Sequence, residues 1–316
     1  MQRGVFILSL DFELVWGSRD LVRRDPEPLL AAARRTRDQV FEPLLALLVD
    51  RGMAATWATV GHLFLDRGAS LADLTPPRHG WVQGGWFDGV PTGSEEEHPE
   101  FFGRALVRRL VERGQEVGSH SFSHPIFGDP GCSVEAADSD LARCVREAQT
   151  LGIELRSFVF PRNSAGHHHL LARHGFTCWR GLEPTWYNRR GPGPLRRLGH
   201  LADVVAARRP PTVLPTRDEH GLWVIPASAS FLPVDGVRRA IPIERRVTRA
   251  VRGLDQAALD RRICHLWSHP INLATDPPAT LDMFRRVLDH AARLRDRGAL
   301  DVLTMGQVAE LMNQAA

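Results

Sequence analysis

The sequence predicts an α/β barrel, built from parallel strands that alternate with connecting helices. Short β-branched or apolar runs recur along the chain, and most are followed by a stretch in which apolar residues lie three and four apart. About eight such runs occur in 316 residues, which indicates a closed or nearly closed barrel of roughly seven or eight strands.

The predicted elements follow one another in a regular order. The first strand covers residues 5–9, and a long amphipathic helix comes after it. The later strands are predicted over residues 54–59, 116–119, 157–160, 176–178, 222–225, 263–267 and 301–303. The main helices are predicted over residues 29–49, 104–112, 135–150, 281–294 and 306–312.

Two long stretches interrupt this order. Residues 62–101 are rich in Gly, Pro and Trp, and residues 187–216 are rich in Arg, Pro and Gly. Loops of this length in a compact fold are usually functional. We therefore expect a single domain over residues 1–316, with two insertions that lie over a site.

The composition argues against several classes of protein. The chain has 43% hydrophobic and 24% charged residues, a net charge of +3 and no apolar run of transmembrane length. The first residues do not follow the pattern of a secretory signal, so we expect a cytoplasmic protein. The four cysteines form no C-x-x-C pair, which indicates reduced structural thiols. The basic residues lack interleaved aromatics, so nucleic-acid binding is not expected, and nothing indicates an oligomeric state.

Two carboxylates stand at the end of the first predicted strand. Asp11 and Glu13 are separated by one residue, so in an extended chain both side chains project to the same side. Charges placed in this way repel unless a cation or a shared proton intervenes. The pair predicts one metal ligand plus one base, although acidic residues at a strand end can also cap loop amides.

Two histidines follow the third predicted strand. His120 and His124 are four residues apart, and on one helical turn they reach a single ion. With an upstream carboxylate they form a set of two histidines and one acid, which leaves positions open for water and substrate. The alternative interpretation is a pair of half-buried polar residues at a strand–helix junction.

The order of these motifs resembles the NodB-type polysaccharide deacetylase family, metal-dependent hydrolases that remove N- or O-acetyl groups from sugars on a distorted (β/α) barrel. The resemblance spans nearly the whole chain. It rests on Asp11-Phe-Glu13, on Ala54-Ala-Thr-Trp57 with Val60-Gly61, and on His120-Ser-Phe-Ser-His124. The second acid, Glu13, is a departure, because the family commonly has two adjacent aspartates there.

The resemblance implies a role for each matching residue. Asp11 is the general base, and Glu13, His120 and His124 are the metal ligands. Arg162, in the segment Phe158-Val-Phe-Pro-Arg-Asn163, holds Asp11 in position. His269 is the general acid, and the oxyanion lies near the backbone amides of residues 160–162. The metal is one divalent ion, with zinc expected first and iron, cobalt, nickel or manganese also compatible.

Aromatic residues suggest where substrate binds. We expect Trp16 and Trp86, with Trp81 and Phe87, to form an apolar platform against a sugar ring, or else a small satellite core. Three further residues are expected to contact substrate because of their positions in the matching motifs, namely Pro161, Asn163 and Trp267.

The expected reaction is removal of an N-acyl group, acetyl first, from an amino sugar. The substrate is expected to be a small carbohydrate or a nucleotide- or lipid-linked carbohydrate conjugate, whose phosphate would suit the arginine-rich residues 237–252. Because that segment is partly amphipathic, a peripheral membrane contact is also considered. The alternatives are an allantoinase-like hydrolase of cyclic amides and a non-catalytic barrel that retains the metal and binds glycan.

Overall fold

Ten strands form one sheet in the computed structural model, which describes residues 1–22, 24–185, 199, 202–231, 234 and 236–315. Short connections and helices separate the strands in sequence. The strands are β1 Gly4–Phe12, β2 Thr56–Thr59, β3 Glu116–Ser119, β4 Ser157–Phe158, β5 Cys178–Gly181, β6 Thr216–Arg217, β7 Trp223–Pro226, β8 Ala229–Ser230, β9 Ile263–Ser268 and β10 Leu300–Val302.

The sheet curls so that β7 and β8, which lie near its opposite ends, belong to one continuous segment of chain. Neighbouring strands follow the order β6–β7–β5–β4–β3–β2–β1–β9–β8, and β10 pairs with the first residues of β1. Only β6 with β7 is antiparallel among these strand pairs. Residues Ala227 and Ser228 join β7 to β8, so one extended segment pairs with β5 at its start and with β9 at its end. The predicted distorted (β/α) barrel is confirmed.

Nine helices pack around this sheet in the described part of the chain. They are α1 Glu27–Arg35, α2 Glu42–Val49, α3 Arg104–Glu112, α4 Val134–Gln149, α5 His168–Arg173, α6 Ile243–Asp260, α7 Pro270–Leu273, α8 Pro277–Asp296 and α9 Met305–Gln314. The predicted helix over residues 29–49 contains a π-helical segment, Thr36–Phe41, between α1 and α2. Pro43 lacks the N–H that the carbonyl of Gln39 would need, and this explains the shift in hydrogen-bond register.

The main core lies between the sheet and the helices. Strand β1 is buried along its whole length, as expected of a central strand covered on both faces. At its end Phe12 packs on Phe41 of the π-helical segment, with ring centroids 5.6 Å apart, and on Trp57 of β2 at 5.5 Å. This packing supports the end of β1, where the two carboxylates lie.

The apolar residues that suggested a peripheral membrane contact for residues 237–252 are packed against the protein core. The side chains of Ile241 and Val247 are buried, and those of Ile243 and Val251 pack against the core. The apolar face of α6 is therefore turned towards the barrel. No helix among the described residues has the length and apolar character needed to span a bilayer.

All four cysteines are buried free thiols, as predicted. Much of the predicted insertion over residues 187–216 lies outside the described residues. The first insertion, residues 62–101, packs beside the ends of β1 and β3.

Candidate active site

The carboxyl ends of β1, β3, β5 and β9 bring the candidate residues to one place. Asp11 and Glu13 project to the same side of the chain, as predicted. The Nε2 atom of His269, just after β9, lies 3.6 Å from Asp11 Oδ2 and 3.7 Å from Glu13 Oε1. A side chain at Gly17 would place its Cβ 1.8 Å from Glu13 Oε2, so any larger residue here would displace the Glu13 carboxylate.

Glu13, His120 and His124 form a compact set of donor atoms. Glu13 Oε1 lies 2.9 Å from His120 Nε2 and 3.4 Å from His124 Nε2. The Nδ1–H of His120 donates to the carbonyl of Val159 at 2.7 Å, which directs Nε2 towards Glu13. One ligand atom from each residue lies within 4.8 Å of the others, and all three side chains are buried.

The loop that carries the histidines is not the predicted helical turn. Ser121 and His124 have left-handed backbone angles, with φ of 64° and 65°. Residues other than glycine rarely adopt this conformation, and it is found mainly where surrounding contacts enforce it. The histidines therefore converge through a strained loop.

Asp140 of α4 supplies those enforcing contacts. Its carboxylate accepts hydrogen bonds from the backbone N–H of Phe122 at 2.6 Å and of Ser123 at 2.9 Å, and from the Ser123 hydroxyl at 2.6 Å. Burial raises the pKa of Asp140 to about 6. Sequence reasoning missed Asp140, whose only signal was a charged residue on the buried face of an amphipathic helix.

The donor set fits a divalent metal ion. Both ring nitrogens of His124 are buried and form no hydrogen bond with the residues that the structure describes, although buried polar atoms are normally satisfied. Burial lowers the pKa of His124, so the imidazole is neutral and able to coordinate. Two imidazoles and one carboxylate suit zinc and other first-row transition metals.

Arg180 of β5, and not Arg162, holds Asp11. Its Nη1 and Nη2 donate to the two carboxylate oxygens of Asp11 at 2.6 and 2.7 Å, and both side chains are buried. Arg162 instead donates to Asp20, with N–O distances of 2.5 and 2.7 Å. The predicted contact of Arg162 is therefore wrong. Arg162 has a φ of 53° in the turn after β4, and its side chain leaves the site towards Asp20.

Charge pairing keeps both carboxylates ionised. Burial alone would raise the pKa of Asp11, but Arg180 and His269 lower it below the ordinary value of 3.8. Burial has the same effect on Glu13, and His269, His120 and His124 together hold its pKa well below 4.5. Two adjacent negative charges are thus present at neutral pH.

The remaining predicted residues lie at different depths. His269 is 28% exposed and forms the open side of the site. The Trp267 ring lies 5.4 Å from the His269 ring and 4.4 Å from the Arg180 guanidinium carbon. Asn163 Oδ1 accepts from Arg180 at 3.1 Å, so it supports the clamp, while Pro161 is buried.

Trp16 and Trp86 do not form the expected open platform. Trp16 is 1% exposed and stacks on His62 at 3.7 Å, and Trp86 is 3% exposed. The indole N–H of Trp86 donates to Ser123 Oγ at 3.1 Å. Large apolar rings gain more from burial under the insertion than from exposure. Trp16 belongs to the main hydrophobic core, and Trp86 is buried beneath the first insertion.

His265 stands apart from the proton-transfer groups. Its Nε2 lies 2.9 Å from Ser9 Oγ, and its Nδ1 lies 3.2 Å from the carbonyl of Pro226. Burial lowers its pKa to about 3, so the ring stays neutral. It links β1, β7 and β9 beneath the site.

Residues 34–179 match the polysaccharide deacetylase family. Among curated proteins, none matches the chain.

Three solved structures have a similar fold. One from Mycobacterium smegmatis, named for a polysaccharide deacetylase, is 15% identical with a TM-score of 0.63, covering 99% of this chain and 91% of that one. One from Pseudomonas aeruginosa PAO1, also named for a polysaccharide deacetylase, is 12% identical with a TM-score of 0.58, covering 97% and 89%. The PuuE allantoinase is 12% identical with a TM-score of 0.60, covering 97% and 88%.

At these identities the solved structures establish the fold, and the family match establishes the class of enzyme. The chain therefore has the fold of these proteins, and the polysaccharide deacetylase match over residues 34–179 supports a hydrolase that acts on amide C–N bonds.

Proposed function

We propose that the chain is a metal-dependent hydrolase that removes an N-acyl group, acetyl first, from an amino-sugar substrate. The observation that supports this most directly is the position of Glu13. Its carboxylate lies beside His120 and His124, in an arrangement that could hold a metal ion. It also lies beside His269, which in turn faces Asp11. The proposed metal ligands therefore lie next to the proposed acid–base pair, Asp11 and His269.

The metal would be held by Glu13, His120 and His124. When bound, a divalent ion supplies a Lewis acid for the amide carbonyl and for the attacking water. Zinc suits this ligand set best, and iron, cobalt, nickel and manganese tolerate it. The His124 nitrogens that make no hydrogen bond support a metal at this position.

Asp11 is the proposed general base. Its carboxylate is ionised, and Arg180 fixes its orientation through two hydrogen bonds. Oδ2, which also faces His269, would accept a proton from the attacking water. The guanidinium lowers the basicity of Asp11, and in return it keeps the acceptor charged and correctly oriented inside a buried site.

His269 is the proposed general acid. Its ring is the most exposed of the candidate catalytic groups, so a substrate entering the site meets it first. Protonated on Nε2, it would donate to the departing amine as the C–N bond breaks.

The substrate class is part of the same proposal. We infer a small carbohydrate or a nucleotide- or lipid-linked conjugate, acted on in the cytoplasm. Two features support this inference. The family matched over residues 34–179 consists of polysaccharide deacetylases, and the arginine-rich residues 237–252 would suit the phosphate of a conjugate.

The test is acetate release from N-acetylglucosamine and UDP-N-acetylglucosamine by the metal-loaded protein. Asp11→Asn should lower the rate by about 10²–10⁴-fold while metal remains bound, because general-base catalysis contributes that much. Asp25→Asn, at an exposed aspartate, is the matched control.

Two results would contradict the proposal. Hydrolysis of cyclic ureides without any release from N-acyl sugars would favour the allantoinase-like alternative. Stoichiometric metal with no turnover of either class, and glycan binding unaffected by Asp11→Asn, would favour the non-catalytic barrel.

A further inference from the structure

A chain of buried hydrogen bonds runs beneath the site from Asp11 to the backbone of Pro226. Arg180 Nη1 donates to Asp11 and also, at 3.1 Å, to Ser9 Oγ. Ser9 Oγ lies 2.9 Å from His265 Nε2, and His265 Nδ1 lies 3.2 Å from the carbonyl oxygen of Pro226. The side chains belong to residues that are at most 3% exposed, so bulk water does not compete for these contacts.

Only one arrangement of hydrogen atoms satisfies every group in this chain. A guanidinium only donates, so Ser9 Oγ accepts from Arg180. The single hydroxyl hydrogen of Ser9 then points at His265 Nε2, which must be the unprotonated ring nitrogen. Nδ1 carries the ring hydrogen and donates it to the carbonyl of Pro226. Burial lowers the pKa of His265 to about 3, which keeps the ring in this neutral form.

The terminal N–H groups of Arg180 show what this arrangement does. The inner two hold the oxygens of Asp11, and the outer two donate to Ser9 Oγ and Asn163 Oδ1, each at 3.1 Å. The outer acceptors flank the guanidinium and fix its plane. They differ in one respect, because an amide oxygen only accepts, whereas a hydroxyl can present either a lone pair or its hydrogen. The contact with Ser9 therefore depends on where the hydroxyl hydrogen is held.

We propose that His265 is a positioning residue that acts through Ser9 on the Arg180 guanidinium, and so sets the orientation of the general base. This inference rests on the proposed function, because it assigns a part in that reaction. By accepting the hydroxyl hydrogen, His265 turns a lone pair of Ser9 towards Arg180. Without this acceptor the hydrogen would be free to turn towards the guanidinium, and one of the two flanking contacts would be lost. His265 itself transfers no proton to or from the substrate.

The alternative is a purely structural role, in which His265 ties β9 to β7 through Pro226. Two substitutions separate these roles, because each keeps one end of the ring. The side-chain amide of His265→Gln extends to the region of Nε2 and can accept from Ser9. The shorter amide of His265→Asn extends only to the region of Nδ1, next to the carbonyl of Pro226. Positioning predicts that the Gln variant is the more active, and a structural tie predicts the reverse.

The test measures hydrolysis of N-acetylglucosamine and UDP-N-acetylglucosamine by the metal-loaded proteins. His265→Asn should lower kcat by up to about a hundredfold with KM changed less than about twofold, because a misplaced catalytic group costs that much in rate while binding persists. His265→Gln should retain most of the wild-type kcat. His290→Asn is the matched control, since this histidine of α8 pairs with Asp255 of α6 away from the site. It should leave kcat unchanged.

Ser9→Ala tests the link between His265 and the guanidinium. It should lower kcat by a factor similar to that of His265→Asn. The double variant should lose no more than the larger of the two single losses, because both substitutions break the same chain of contacts. Additive losses, a larger loss in His265→Gln than in His265→Asn, or wild-type kcat in His265→Asn would each overturn the proposal.

Nitrogen NMR of the metal-free protein with ¹⁵N-labelled histidine separates this inference from the proposed function. At neutral pH the His265 ring, identified by its absence in His265→Gln, should carry its hydrogen on Nδ1, and Ser9→Ala should shift the Nε2 signal towards that of a nitrogen without a hydrogen bond. A hydrogen on Nε2 would overturn the inference even if sugars are hydrolysed and even if no variant folds. If the spectrum is as expected and no sugar is hydrolysed, the proposed function fails while the hydrogen-bonded chain stands.

Discussion

The negative charges of Asp11 and Glu13 are balanced in different ways, although the two residues lie only two positions apart at the end of β1. Asp11 faces Arg180, a permanent cation that contacts both of its oxygens. Glu13 faces His120 and His124, which can be neutral. The charge of Asp11 is therefore balanced within the chain, whereas at Glu13 the proposed function adds a metal cation.

This difference indicates which of the two acids acts as a base and which as a metal ligand. A clamped carboxylate is oriented as a base and is poorly free to coordinate, while a carboxylate among imidazoles is free to bind an ion.

The largest effect is expected from Glu13→Gln. This substitution removes the charged ligand, so the bound metal should fall well below one ion per chain. The rate of hydrolysis should fall by at least about a thousandfold, because the ion would supply several kcal/mol of transition-state stabilisation. Metal is measured by elemental analysis. Glu219→Gln, at an exposed glutamate, should retain it. Full metal content in Glu13→Gln would remove Glu13 from the ligand set.

Arg180→Gln should cost the largest amount of folding stability. It leaves the Asp11 carboxylate buried without its partner, which destabilises by about 3–5 kcal/mol. Arg162→Gln should cost no more than about 2 kcal/mol, because the indole N–H of Trp81 still donates to Asp20. Urea unfolding of the metal-free variants measures both. Equal losses would mean that the Asp11 clamp is no stronger than the Asp20 contact.

Asp140→Asn should weaken metal binding by about 10–100-fold, as outer contacts to metal ligands typically do. The amide cannot accept all three hydrogen bonds that hold the histidine loop. Asp138→Asn is the control, since it lies on the same helix and pairs with His174 at the surface. Competition with a chelator measures affinity, and unchanged affinity in Asp140→Asn would show that the loop keeps its shape unaided.

The smallest effect is on the pH dependence of stability. In the folded, metal-free chain the pKa values of Asp11 and Glu13 lie below their ordinary values of 3.8 and 4.5. Their ionised forms therefore stabilise the fold above those values, and this contribution is lost as the pH falls through the folded pKa values.

Arg180→Gln should lose less stability than wild type between pH 7 and about pH 3, because burial without the guanidinium raises the pKa of Asp11. The measurement is the urea midpoint at each pH. An identical pH slope in the two proteins would mean that Arg180 does not set the pKa of Asp11.

Much of the fold follows from local patterns. Most predicted strands occur close to their predicted positions, because the alternation of apolar runs with amphipathic stretches is a property of neighbouring residues. The π-helical segment was not predicted. Its cause, Pro43, is local, but its effect on hydrogen-bond register within a helix is rare.

The candidate site was predictable where residues lie close together in sequence. Asp11 with Glu13, and His120 with His124, form short motifs whose spacing carries the chemistry. The exposure of Trp16 and Trp86 was not predictable, because burial depends on which segment covers them.

The sequence alone therefore predicted the barrel, the acidic pair and the histidine pair, since strand ends and short spacings are encoded by adjacent residues, while His269 was predicted from the resemblance to the deacetylase family. Only the tertiary structure decided that Arg180 holds Asp11 and that Asp140 holds the histidine loop. Arg180 and Asp11 are 169 residues apart, and the only link between them is the curl of the sheet that brings β5 opposite β1. Contacts across such separations depend on side-chain direction and burial, which no local pattern specifies.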